Sequence, residues 1–199
     1  MEWIDIALEG ASMRIAPQFA RAERGDALLL RFSAEIPWEQ HRVKIYGREI
    51  DSPRLSCWIG DPEAHYAYSG TRYVPHPWPE TLRTLKAEVE SACDARFNSV
   101  LANLYRDGRD SMGWHADDET ELGAEPVIAS LSLGAERRFC LRDRAEKRQR
   151  LALNLAHGSL LLMAGATQRN YQHALPKTAR PLGPRLNLTF RWVGARGAG

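Results

Sequence analysis

Cysteine is scarce in this chain: Cys57, Cys93 and Cys140 stand far apart, with no C-x-x-C pair among them. An odd, scattered set excludes a disulfide framework and a thiolate zinc site, so all three are expected to be buried thiols. Long apolar runs are missing too. Nothing approaches the roughly 18 residues of a membrane span, and the opening MEWIDIALEG is acidic where a signal peptide would be basic. The expectation is a cytoplasmic protein with no membrane segment. Neither sign of charge dominates: the formal net charge is +2 and the pI about 8.5, so bulk composition does not mark a nucleic-acid binder. Repeats and low-complexity tracts are also absent. A length of 199 residues suits one domain with a substantial core. Residues 1–24 read as an N-terminal extension with a short strand from Met13 to Ile15, and 193–199 as a flexible tail.

Charge is distributed unevenly. Between Glu136 and Arg150 seven basic residues (Arg137, Arg138, Arg142, Arg144, Lys147, Arg148 and Arg150) face three acidic ones, a local excess of four. Such a stretch is either a solvated hairpin loop or a grip for phosphates.

Periodicity gives the elements. Gly25, Leu28 or Leu29, Phe32 and Ile36 recur at helical spacing and stop before Pro37. Pro79 opens a second helix whose Leu82, Leu85, Val89 and Cys93 or Ala92 form an apolar stripe. Val43 to Tyr46, then Gly47, then Arg48 to Ile50 reads as a hairpin with Tyr46-Gly47 at its tip. Tyr66 and Tyr68 share one face of a strand, and Asn103 and Tyr105 share one face of another. Pro126 to Gly134, Arg137 to Leu141, Leu151 to Leu155 and Leu160 to Met163 are short strands between turn signals. Many short strands with flanking helices predict a mainly β fold, a double-sheet jelly roll.

The chemistry concentrates in two stretches. Within NLYRDGRDSMGWHADDE, His115 and Asp117 stand two apart, so in an extended segment an imidazole and a carboxylate converge on one cation. Candidates for a third ligand are His157, His173 or none. His157 lies against Gly158-Ser159, a turn between strands. His173 is better placed, because it begins the segment leading into RLNLTFRW. That segment alternates: Leu186, Leu188, Phe190 and Trp192 on one face, Arg185, Asn187, Thr189 and Arg191 on the other. An ordinary half-buried strand would leave the polar face to water. Two arginines bracketing Asn187 and Thr189 also make a donor row suited to a dicarboxylate. Two histidines and a carboxylate with open positions form the ligand set of non-haem Fe(II) oxygenases, and a neighbouring dicarboxylate suggests 2-oxoglutarate.

On NLY at 103–105, HAD at 115–117, His173 and RLNLTFR at 185–191, the chain resembles the AlkB family of Fe(II)/2-oxoglutarate dioxygenases. Weaker similarity runs over about residues 40–192. The resemblance implies a double-stranded β-helix barrel that oxidatively demethylates N-alkylated bases in DNA, a direct repair releasing formaldehyde, succinate and carbon dioxide. His115, Asp117 and His173 would bind Fe(II), with 2-oxoglutarate and dioxygen as co-substrates. Arg185 would pair with the far carboxylate of 2-oxoglutarate and Arg191 with its keto-acid end. Asn103 and Tyr105 would complete that pocket from the side opposite the arginines, with Asn187 as support. Tyr66 and Tyr68 would line the base pocket and Glu119 would sit beside the base. Tyr46 would fill the gap left by a flipped base, which implies action on duplex DNA. The expected partner is alkylated DNA, or RNA, and the protein is expected to be a monomer. Alternatives are a demethylase of single-stranded DNA or RNA, a catalytically silent nucleic-acid binder on the same barrel, and a metal-binding cupin with a small-molecule substrate.

Overall fold

The computed structural model describes residues 1–45, 48–64, 66–68 and 71–194. The first 24 residues supply two strands instead of one, β1 (Ile4–Asp5) and β2 (Ser12–Ala16). Helix α1 (Ala22–Glu35) buries Leu28 and Phe32 and stops at Ile36, just before Pro37. The expected hairpin follows as β3 (Arg42–Ile45) and β4 (Arg48–Asp51), with Ile45 opposite Arg48. Its tip, Tyr46-Gly47, lies outside the described residues.

Strand β5 (Leu55–Gly60) was not legible in the sequence, since LSCWIG is buried along nearly all its length and so lacks alternation. After the small hairpin of β6 (Tyr66–Tyr68) and β7 (Thr71–Tyr73) comes helix α2 (Glu80–Cys93). Pro79 caps α2 instead of occupying its first turn, and Cys93, not Ala92, completes the buried stripe. Glu90 enters the same stripe, accepting the Phe97 backbone N–H at 2.8 Å. The helix ends on Asp94 in the left-handed region (φ 51°).

The remaining chain is β8 (Ser99–Tyr105), β9 (Met112–His115), a 3-10 turn (Thr120–Leu122), β10 (Ile128–Gly134), β11 (Arg137–Asp143), β12 (Gln149–Leu155), β13 (Leu160–Ala164), α3 (Thr167–Asn170), β14 (Tyr171–Leu175) and β15 (Arg185–Arg191). The large sheet runs β1-β2-β13-β10-β15-β8-β5, the small one β12-β11-β14-β9. From β8 onward the chain crosses between sheets in the order large, small, large, small, small, large, small, large. That order is a double-stranded β-helix, the jelly roll expected.

Helices α1 and α2 cover the outer face of the large sheet. Phe32, Leu82, Leu85 and Val89 pack there against Val100, Ala102, Leu131, Leu186, Leu188 and Phe190, all essentially inaccessible to solvent. A second cluster, with Phe139, Leu141, Leu155 and Met163, fills part of the space between the sheets. Gly158, at φ 76°, makes the β12–β13 turn against the Ala20 carbonyl, where any Cβ would collide with backbone. All three cysteines are buried thiols. No helix among the described residues is long and apolar enough to cross a membrane.

Two boundaries differ from the sequence reading. Strand β15 stops at Arg191, so Trp192 leaves the apolar face and is 53% exposed. The tail is anchored at its start: Val193 is buried, its N–H donates to Asn98 Oδ1, and Gly194 N–H donates to the Glu121 carbonyl. Residues 195–199 lie outside the described residues. Truncating Leu188 to Ala should cost about 2–5 kcal/mol in chemical denaturation, by lost burial plus a cavity. Trp192→Ala should stay within about 0.5 kcal/mol, as for an exposed side chain.

Candidate metal and keto-acid site

Strand β15 organises the interior. Its apolar side chains face the helices, which turns Arg185, Asn187, Thr189 and Arg191 into the barrel, where all four are buried. Of the two readings of this face, left to water or kept as a donor row, the burial agrees with the second: the small sheet closes over it. Neighbouring strands extend the polar surface by register. Arg185 stands opposite Tyr105 and Asn187 opposite Asn103 on β8, while Ser130 and Ser132 project from β10. Asn103 and Tyr105 thus sit beside the arginine strand in the same sheet, not across the pocket from it.

The small sheet brings the histidines together. His173 is central in β14, not at the start of its segment, and stands opposite His115 on β9. Their ring centroids are 4.2 Å apart. Asp117 lies just past the end of β9, with Oδ1 at 4.0 Å from His115 Nε2 and Oδ2 at 3.8 Å from His173 Nε2. One ligand atom from each residue falls within 4.8 Å of the others, the spacing a single ion needs. His115 Nδ1 lies 2.9 Å from the Gly113 carbonyl, so it carries the proton and leaves Nε2 with its lone pair toward the site. His157 is excluded as a ligand, because its Nδ1 takes the Gly134 N–H in the turn against α1.

Electrostatics prepare the ligands. Burial alone would raise the Asp117 carboxyl, but the charge of Arg191, aided by the two imidazoles, holds it down at about 2. Arg191 Nη2 donates to Asp117 Oδ1 at 2.6 Å, a buried pair the sequence did not indicate. Burial, then the proximity of His115, pushes His173 down to about 3, so the ring is neutral at ordinary pH, the form that could ligate a metal. Arg185 is lowered to about 10, chiefly by burial, and stays charged. Its Nη2 donates to Ser132 Oγ at 2.8 Å, its guanidinium lies 5.3 Å from the Tyr105 ring centroid, and its Nε has no partner among the described residues. Asp117, the carboxylate of the same cavity, is paired with Arg191, and a buried cation with no carboxylate paired to it among the described residues calls for an anionic ligand. A narrow cavity of about 40 Å³ joins Arg185 to the histidines.

Several residues that shape this site were missed. Arg54 Nε donates to Asn103 Oδ1 at 2.8 Å, leaving the Asn103 amide nitrogen as the donor for the cavity. Asn187 is fixed by Ser130 Oγ, the Leu131 carbonyl and Thr189. Arg137, expected among the phosphate-gripping residues, is buried: it donates to the carbonyls of Asp107, Asp110 and Pro176 and lies 5.8 Å from the Tyr105 ring centroid. The signal for it was its phase, since Arg137 shares period two with Phe139 and Leu141. The other basic residues stay on the outside. Arg142 stacks over Trp114 at 4.5 Å, Arg144 pairs with Asp118 and Arg150 with Glu146. Glu119 is half-buried and does not line the cavity. Tyr46 and the side chains of Tyr66 and Tyr68 lie outside the described residues.

Comparison with known proteins agrees with this geometry. Residues 12–191 match the 2OG-Fe(II) oxygenase superfamily profile. The chain is 41% identical over 186 residues to human alpha-ketoglutarate-dependent dioxygenase alkB homolog 3, covering 89% of this chain and 64% of that protein, a little under two thirds of its length. It is 37% identical over 202 residues to mouse DNA oxidative demethylase ALKBH2, covering 96% of this chain and 84% of that protein. A solved structure described as that of OsALKBH1 superposes with a TM-score of 0.68 at 14% identity, over 96% of this chain and 100% of the other, and shows the fold alone. With a jelly roll, a His-Asp-His cluster at its centre and these relatives, the chain belongs to the 2OG-Fe(II) oxygenase superfamily and, within it, to the AlkB family.

Proposed function

We propose that the protein is an Fe(II)- and 2-oxoglutarate-dependent dioxygenase that demethylates N-alkylated bases in DNA. The observation that carries the reading is the meeting of His115, Asp117 and His173 beside a fully buried Arg185 that no carboxylate among the described residues pairs with. His115 Nε2, His173 Nε2 and an oxygen of Asp117 would hold the metal, a facial set that leaves positions open. When bound, iron and 2-oxoglutarate use dioxygen to oxidise an N-methyl group, giving succinate, carbon dioxide, formaldehyde and the unmethylated base.

The protein's own residues do the arranging. Arg185 receives the far carboxylate of the keto acid, held at the right depth by Ser132 and Tyr105. Asn103, its amide turned by Arg54, and Asn187, pinned from β10, present donors along the same wall. Arg191 keeps Asp117 ionised and so ready to ligate, besides reaching the keto-acid end of the cavity. Phe139, Leu155 and Leu175 make the opposite wall, on the small sheet, apolar, and with Met163 of the large sheet they keep bulk water from the cavity.

DNA as substrate is supported by the name of the mouse relative and by the outer surface. There Arg138, Lys177 and Arg180 surround a groove beside Trp114, with Arg142 stacked on that ring. Basic side chains spaced around an aromatic suit a phosphate backbone. The β3–β4 hairpin supports action on duplex DNA, because Ile45 opposite Arg48 leaves Tyr46-Gly47 as the connection. Glu119, Tyr66 and Tyr68 remain the candidates for contact with the base.

The protein should release succinate and formaldehyde from methylated oligonucleotides with Fe(II) and 2-oxoglutarate, and His115→Ala or Asp117→Ala should remove nearly all turnover. Retained turnover would overturn the ligand set, while DNA binding with no turnover in the unaltered protein would mark a silent binder. Arg185→Met should raise KM for 2-oxoglutarate by about 10- to 100-fold, the worth of one charge-assisted bond. An unchanged KM would place the keto acid elsewhere. Tyr46→Ala should lower demethylation of duplex substrate more than of single strands; an equal loss on both would remove the wedge.

A further inference from the structure

Strand β9 is the outer strand of the small sheet and pairs only with β14, across a register irregularity between His173 and Leu175. It ends at His115, so Asp117 projects from irregular chain at a sheet edge with no ladder to fix its backbone. A metal site needs this carboxylate held to within a fraction of an ångström. The anchor comes from elsewhere in the sequence. The Asp117 N–H donates at 3.0 Å to the side-chain oxygen of Gln168, which is 1% exposed. The Gln168 amide nitrogen is taken up by Met163 Sδ at 3.6 Å, which fixes which end of the amide faces Asp117. Arg144 doubles the tie, donating to the Gln168 carbonyl at 3.0 Å and to Asp118 Oδ2 at 2.5 Å.

The turn that carries Gln168 is itself held by the N-terminal strands. Ser12 N–H donates to Thr167 Oγ1 at 2.9 Å, Asn170 Nδ2 donates to the Gly10 carbonyl at 2.7 Å, and Tyr171 Oη donates to the Glu9 carbonyl at 2.5 Å. A continuous set of hydrogen bonds thus runs from residues 9–12 through α3 to the backbone of Asp117. Losing the Gln168 oxygen would leave a buried N–H unsatisfied and let the ligand segment swing outward.

We propose that Gln168 is a positioning residue for the metal site, setting the place of the Asp117 carboxylate through its backbone N–H. The inference rests on the assignment of His115, Asp117 and His173 as ligands, and its test separates the two. Mn(II) affinity is measured by electron paramagnetic resonance on the full chain, alongside the melting temperature of the metal-free protein. Gln168→Leu should weaken Mn(II) binding by about 10- to 100-fold, the usual loss when a ligand's support is removed. Gln168→Glu keeps an oxygen in the same place and should bind close to wild type, and Arg169→Ala, which removes an exposed side chain of the same turn that pairs only with Glu125 among the described residues, should leave Mn(II) affinity unchanged. Should Gln168→Leu fail to fold, Gln168→Asn, one methylene too short to reach Asp117, should show the same weakening. Unchanged Mn(II) affinity in the Leu or Asn variant, or equal weakening in the Glu variant or Arg169→Ala, overturns the proposal. Failure of the unaltered protein to bind Mn(II), or its undiminished binding in His115→Ala, overturns the ligand assignment instead.

Discussion

The ion pair between Arg191 and Asp117 is the contact on which the interior depends. Moving a carboxylate and a guanidinium out of water costs several kcal/mol per ion unless each finds a partner. At 2.6 Å they find one another, across 74 residues of sequence. The pair joins the last strand of the large sheet to the edge of the small one, so it is both a seam of the barrel and a brace on the carboxylate of the proposed metal site. Its charge balance also leaves Arg185, on the same strand face, as the cation that still needs an anion. A protein that keeps such a group in its core has placed stability second to binding at that point.

Around this pair, polar side chains do work that apolar packing cannot. Arg54 turns the Asn103 amide, Ser130 and Ser132 hold Asn187 and Arg185, and Gln168 holds the backbone of Asp117. Arg137 ties the loop after β8 to the residue after β14 through three carbonyls, closing the barrel end beside Tyr105. Each is a satisfied donor or acceptor in a region of low dielectric, where an unpaired group would be costly. The outer face of the large sheet does the opposite job. Across its central strands it is apolar, and two helices seal it, so that β15 has one apolar packing side and one polar side turned into the barrel.

The alternation in RLNLTFRW and the closeness of His115 to Asp117 were legible because strand periodicity and i, i+2 spacing are local properties, whereas His173 was settled through the family resemblance. Elements without such a period escaped for the same reason. The stretch LSCWIG is covered on both faces and loses its period, and Thr167–Asn170 is too short to show one. Arg137 was misplaced when the 136–150 segment was read as one charged loop, because a count of charges ignores which way each strand residue points. Trp192 fell on the wrong side of a strand end, where sequence patterns are least informative.

By itself, the sequence determined the mainly β class, the two covering helices, the closeness of His115 to Asp117 and the arginine row, since each depends on spacing within a few residues, while His173 entered through the family resemblance. Tertiary structure decided what those residues meet. Only the closing of the small sheet over β15 turned its polar face inward, paired Arg191 with Asp117 and brought Gln168 beneath the ligand segment. Contacts between residues 50 or more positions apart are set by the register of distant strands and by desolvation, and no local pattern encodes them.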